Sequence, residues 1–132
     1  MSDLINDSAI RTLRTALNGL SMRQRATADN IANLNTPGYK AARVSFEDSL
    51  QRQLRDSVSI GSTYTAASAA STTDEAVISV TRDRSKSMRV DGNNVDLDNE
   101  MARLAETVIN YNTVSELVSI KLSILKSVIG SR

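Results

Sequence analysis

The chain has 132 residues, 40% of them apolar, and sixteen basic residues against fifteen acidic ones. That length suits one domain at most, and a near-neutral balance of interspersed charges does not build a strong field for nucleic acid or a membrane surface. Cysteine and histidine are both absent, which excludes disulfides, Cys/His zinc sites, His-ligated haem and every Ser–His or Cys–His nucleophile pair.

Only four residues are aromatic (Tyr39, Phe46, Tyr64 and Tyr111), and the single proline is Pro37. A β-sandwich or barrel needs more turn chemistry than this. No run approaches the roughly 20 apolar residues of a membrane span. The amino terminus begins acidic (Met1, Ser2, Asp3) and has no apolar core segment, so a cleavable secretory signal is not expected.

The first element spans about Asp7 to Leu34. Ile10, Leu13, Leu17, Leu20, Ile31 and Leu34 alternate at spacings of three and four, with Gln24 and Thr27 at the two missing positions. This pattern predicts an amphipathic helix with a narrow seam, capped by Asp7 or Ser8. Asn35, Thr36, Pro37 and Gly38 stop it. Proline cannot continue a helix and drives the preceding residue out of helical space, and Gly38 supplies the positive φ of a type II turn.

In the middle, Ser45 followed by Asp48 has the spacing of a capping box, and Phe46, Leu50 and Leu54 follow at helical intervals. A short helix is expected there. From Ser57 to Thr73, nine of seventeen residues are Ser or Thr, too polar to offset the entropy of ordering, so a flexible loop is expected. Val77, Ile78 and Val80 suit one short strand. Arg82, Arg84, Lys86 and Arg89 form a basic run, read as a solvated loop, that leads into Asp91, Gly92, Asn93 and Asn94.

The last element repeats the first more strongly. Leu97, Met101, Leu104, Val108, Tyr111, Val118, Leu122, Leu125 and Ile129 keep one heptad register, broken only by Ser115. Asp96 or Asp98 caps its start, and Asp98 and Glu100 suit the positive end of the helix dipole. Leu117, Ile120, Ile124 and Val128 lie off this seam, so one partner helix cannot cover the end of the element. The expected fold is all-α: two long terminal helices forming an antiparallel coiled-coil hairpin, with a short helix and a flexible middle loop. Three segments follow, residues 1–40, 41–90 and 91–132. Such a hairpin under-buries its helices alone, and contacts between unlike faces of successive copies build a ring or filament.

The carboxylates and amides at 91–100 do not fit a calcium loop, because positions six and twelve counted from Asp91 are Asp96 and Ala102 instead of Gly and Glu. A turn with a helix cap explains them. Without a Gly-rich phosphate loop or an acid pair in a pocket, catalysis is not expected, nor is any cofactor, small-molecule substrate or nucleic acid. A secreted or cytosolic helical-hairpin interaction protein, or a coiled-coil adaptor, shares the seams. A DNA-binding version would use Arg11, Arg14, Arg23 and Arg25 of the first helix.

The run Asp29-Asn30-Ile31-Ala32-Asn33-Leu34-Asn35-Thr36-Pro37-Gly38-Tyr39, with Phe46 and Leu50 beyond it, resembles the signature of bacterial flagellar rod and hook proteins. Asp29 departs from the usual Ala at its position. A second run, with Asp91, Gly92, Asn93, Val95, Asp96 and Glu100, is similar to the element that opens the carboxyl-terminal helix in the proximal-rod members. Together the matches cover about half of the chain. The resemblance implies a non-enzymatic subunit of the flagellar basal body, on its periplasmic side. It would be exported by the flagellar export apparatus without a cleaved signal and built into a helical homo-oligomeric tube. Implied partners are the MS ring, the adaptor FliE and the next rod protein, FlgC. The motif residues would tie the turn to neighbouring subunits.

Overall fold

The computed structural model describes residues 8–58, 78–85, 87 and 89–130. Three helices and two short strands follow in the order α1 (Ser8–Ala32), β1 (Ala42–Ser45), α2 (Glu47–Val58), β2 (Ser79–Arg82) and α3 (Leu97–Gly130). Residues 59–73 of the Ser/Thr-rich stretch, Asp7 and Val77 fall outside the described residues.

The carboxyl end of α1 meets the amino end of α3, where Asn30 bonds Glu100. Further along, Val114 packs against the cluster around Leu20. The helices therefore run antiparallel, as the heptads imply. At 1.5 Å per residue, the 34 residues of α3 make a rod of about 51 Å.

Both seams are turned by one residue from the hydropathy reading. On α1 the buried positions are Ala16, Gly19, Leu20, Thr27 and Asn30, with Leu13 and Arg23 partly buried, as is Leu34 just beyond the helix. On α3 the inward line is Glu100, Leu104, Thr107, Val114, Val118, Lys121 and Leu125, with Tyr111 on its margin. One column of each heptad is as expected: Leu13, Leu20, Thr27 and Leu34 on α1, and Leu104, Tyr111, Val118 and Leu125 on α3. The other column lies one residue earlier. Small and polar side chains such as Ala16, Thr107 and Asn30 occupy it, which lets the helices approach. The larger apolar residues expected there point to the flanks. Ile10, Leu17 and Ile31 are only partly buried, and Met101, Val108, Leu122 and Ile129 are exposed; Leu97, at the start of the other column, is also exposed.

A two-stranded antiparallel sheet adds to the helices, with Ala42 opposite Arg82 and Val44 opposite Val80. The expected strand begins later than proposed, at Ser79, and its partner β1 was not legible. β1 carries the core inward: Val44 and Phe46 pack with Leu20 of α1. The Phe46 ring lies on Gly19, where a Cβ would stand 2.4 Å from the ring. Only glycine admits that close approach.

The capping box does not form as expected. α2 begins at Glu47, so Phe46 holds the cap position, and its N–H donates to the Glu47 carboxylate at 3.0 Å. Leu50 is partly buried and Leu54 half-exposed. No helix among the described residues is long and apolar enough to cross a membrane.

Candidate functional site

The two sequence motifs, about sixty residues apart, fold onto each other at the closed end of the hairpin. α1 ends where its last turn tightens: the Leu34 N–H reaches the Ile31 carbonyl at 3.2 Å, and the Asn33 side chain takes the Asp29 carbonyl at 2.8 Å. Thr36–Tyr39 then forms the expected type II turn. The Tyr39 N–H donates to the Thr36 carbonyl at 3.2 Å, and Gly38 has φ 71°.

Opposite it, Gly92 has φ 77° and sits against the Gly38 Cα, while the Gly38 N–H donates to the Asp91 carbonyl at 2.8 Å. Asn93 is wholly buried between the turns. Its amide nitrogen donates to the carbonyls of Asn33, Leu34 and Thr36 at 2.9–3.0 Å, and its Oδ1 accepts the Val95 N–H. One side chain thus reaches three carbonyls of the α1 end and the turn, beside the N–H groups of Thr36 and Tyr39 that already donate to two of them. Arg89 adds a bond to the Leu34 carbonyl and an ion pair with Asp91 at 3.1 Å.

Asn30 does the same work one layer deeper. Its carboxamide treats Ala42 as a neighbouring strand would, accepting the N–H at 2.8 Å and donating to the carbonyl at 2.9 Å. The same nitrogen donates to Glu100 Oε2 at 2.9 Å, and the Tyr39 hydroxyl donates to Asn30 Oδ1 at 3.2 Å. Glu100 is 0% exposed and also accepts from Arg43 at 2.5 Å. Asn30, Arg43 and Glu100 therefore pin α1, β1 and α3 at one point. A charged pair in such a place costs desolvation and is retained only with complete hydrogen bonding.

Beside this pin runs a polar groove of about 320 Å³ between α1, β1 and α3. Arg23 crosses its floor, bonding the Val44 carbonyl at 3.0 Å, pairing with Glu47 and stacking 4.7 Å over the Phe46 ring. Burial works against the Glu47 charge. The Arg23 guanidinium and the N–H groups of Phe46 and Glu47 outweigh it and hold the carboxyl below its ordinary range. Asp83, in the loop after β2, is also held low by the Ser85 N–H and hydroxyl.

Several sequence readings change here. Asn30, Asn33 and Asn93 engage their own chain, and Tyr39 anchors its own loop under Arg82, whose guanidinium lies 5.7 Å from the ring. The motif residues left on the surface are Asp29, Ala32, Asn35, Thr36, Pro37, Gly38, Asp91 and Asp96. The basic run is not simply solvated, because Arg82 and Arg89 brace the junction. Arg23 faces the hairpin's interior and not a DNA-binding surface.

Asp91 and Asp96 bond backbone N–H groups of their own turns, and Asp96 caps α3 through the N–H of Asp98. In the sequence Arg23 and Arg89 stand out only as members of basic stretches, and Gly19 and Arg43 do not stand out at all. Arg43 carries no periodic signal, and Gly19 reads as a weak helix position until the ring above it is known.

The family profile described as "Flagella basal body rod protein" matches residues 10–40, which hold α1 and the turn. The flagellar basal body rod protein FlgB of Bacillus subtilis (strain 168) is 34% identical over 120 residues, covering 91% of this chain and 92% of that protein. FlgB of Escherichia coli (strain K12) is 31% identical over 133 residues, with 95% of both chains covered. FlgB of Borreliella burgdorferi is 31% identical over 108 residues, covering 76% of this chain and 80% of its relative. Two of these relatives cover more than nine-tenths of the chain at 31–34% identity, and the chain belongs to the FlgB family of flagellar basal body rod proteins.

Proposed function

We propose that the chain is a structural subunit of the proximal rod of the flagellar basal body. It polymerises through its terminal helices and transmits torque in cell motility. The observation that supports this reading most is the outward column on α3. Met101, Val108, Leu122 and Ile129 keep heptad spacing on a face that the hairpin leaves exposed, and Leu117, Ile120 and Ile124 are half-exposed on the opposite flank of the helix. Apolar columns at that spacing bury themselves in further helices. A tube of identical hairpins supplies them.

The rigid element is the closed end, where Asn30, Glu100, Arg43 and Asn93 fix the angle between α1, β1 and α3. Torque passing between subunits needs that angle held. The role is mechanical, not catalytic. The subunit stands on the periplasmic side of the basal body after export without a cleaved signal, between the MS ring with the adaptor FliE and the next rod protein, FlgC.

Affinity-tagged protein recovered from gently solubilised envelopes tests this. MS-ring and rod components are expected to come with it, and loss of the gene is expected to abolish swimming. A tagged protein that remains wholly in the soluble fraction, free of axial components, in swimming cells would refute the reading.

A further inference from the structure

α3 carries two overlapping heptad seams that share one column. Leu104, Tyr111, Val118 and Leu125 belong to both. In the inward seam they are joined by Glu100, Thr107, Val114 and Lys121, of which Val114 alone is apolar. In the other they are joined by Met101, Val108, Ser115, Leu122 and Ile129, of which Ser115 alone is polar. Burial of apolar surface favours the second seam. The helix nevertheless presents the first to α1: Thr107 is 2% exposed and its neighbour Val108 38%.

With about 100° between successive residues, the two seams differ by a turn of about 50° of α3 about its own axis. Glu100 opposes that turn. It is wholly buried and accepts from Asn30 of α1 at 2.9 Å and from Arg43 of β1 at 2.5 Å. Both donors are fixed from outside α3. Arg43 is held opposite Thr81 by the sheet, and the Asn30 carboxamide by both backbone groups of Ala42. A 50° turn moves a carboxylate about 5 Å from the helix axis by about 4 Å, which breaks both bonds and strands the charges.

We propose that the Arg43–Glu100 pair selects between these two seams. It holds α3 with its more polar heptad inward and so keeps the apolar column on the outside of the hairpin. A buried ion pair is a poor source of stability, and its best use is to fix one arrangement against another. The rod reading needs only an exposed apolar column; the selector explains why the chain does not bury that column against its own α1.

The absence of native cysteine makes the test clean. Thr107→Cys and Val108→Cys are each placed in the full-length chain, with and without Arg43→Ala/Glu100→Ala, and their rates of reaction with a maleimide are measured at high dilution. Circular dichroism reports helicity, and urea-unfolded chains give the intrinsic rates. In the parent, Val108→Cys is expected to react about tenfold faster than Thr107→Cys. In the double variant the order is expected to invert. Val114→Cys and Ser115→Cys, two turns further on, should behave alike, with Ser115→Cys the faster in the parent and the slower in the double variant.

Each rate is also read in trimethylamine N-oxide, which favours the folded state where the double variant is marginal. An unchanged order in a helical double variant would overturn the proposal. So would equal access at both positions, because the pair would then hold the helices together without choosing a face. A chain that stays unfolded even in the osmolyte has no second seam to adopt, and would overturn it too. None of these results bears on the rod reading, which the solubilised-envelope experiment decides separately.

Discussion

Removing the Glu100 carboxylate is the most direct strain on the closed end. In Glu100→Ala, Arg43 loses its only ion-pair partner among the described residues and Asn30 loses one acceptor; the Asn30 side is wholly buried, while the Arg43 side chain is 29% exposed and reaches water. Truncating one member of a fully buried ion pair costs about 3–5 kcal/mol, and the partial exposure of Arg43 brings the expected loss to about 2–3 kcal/mol. Glu100→Gln keeps the shape and one of the two acceptor oxygens but turns an NH2 donor toward Asn30 or Arg43, so about 1–3 kcal/mol is expected.

The assay is urea unfolding of the full chain followed by far-ultraviolet circular dichroism, with Arg43→Ala and Arg43→Ala/Glu100→Ala completing a double-mutant cycle. The double variant is expected to be less destabilised than the sum of the singles, by about 1–3 kcal/mol, because each single change strands the other group. Strictly additive losses, or a Glu100→Ala chain as stable as the parent, would refute the pin.

Gly19→Ala places a methyl group inside contact distance of the Phe46 ring; a loss of about 1–3 kcal/mol from overpacking is expected in the same unfolding assay. Leu125→Asp and Leu122→Asp should separate two kinds of burial. Leu125 lies on the inward line, so its change lowers helicity in the isolated chain. Leu122, 53% exposed, should change isolated stability by no more than about 0.5 kcal/mol, yet both variants should abolish swimming on soft agar while the protein is still made. Deleting residues 62–73 should impair motility less than Pro37→Ala or Gly38→Val, since the turn positions two motifs at once; the same agar assay ranks them. Stability should fall on acidification. Glu47 and Asp83 are held below their ordinary ranges, so their contribution is complete above the unfolded-state values and is lost as pH falls through the lowered folded-state ones. A pH series of urea midpoints tests this, and Glu47→Gln should flatten it.

Much of this architecture is legible in the residues alone. The two helices, the Pro37 stop, the positive φ at Gly38 and the Asp96 cap follow from local chemistry that tertiary contacts do not override. The second column of each seam does not. Hydropathy favours Leu17, Ile31, Val108 and Leu122, whereas the helices meet through Ala16, Asn30, Thr107 and Val114. Close approach selects small or hydrogen-bonded side chains there, and periodicity alone does not reward them. β1 escapes notice for a related reason. Ala42–Ser45 is only four residues long, and part of its pairing comes from the Asn30 side chain. The roles of Arg43 and Arg89 depend on partners about sixty residues away, at Glu100 and Leu34.

Sedimentation velocity of the full-length chain over a wide concentration range addresses the exposed apolar columns most directly. The weight-average mass should rise continuously with concentration, with no plateau at a dimer, and Leu122→Asp should suppress that rise while the chain stays helical. A sharp boundary of single-chain mass at every concentration would contradict assembly through those columns.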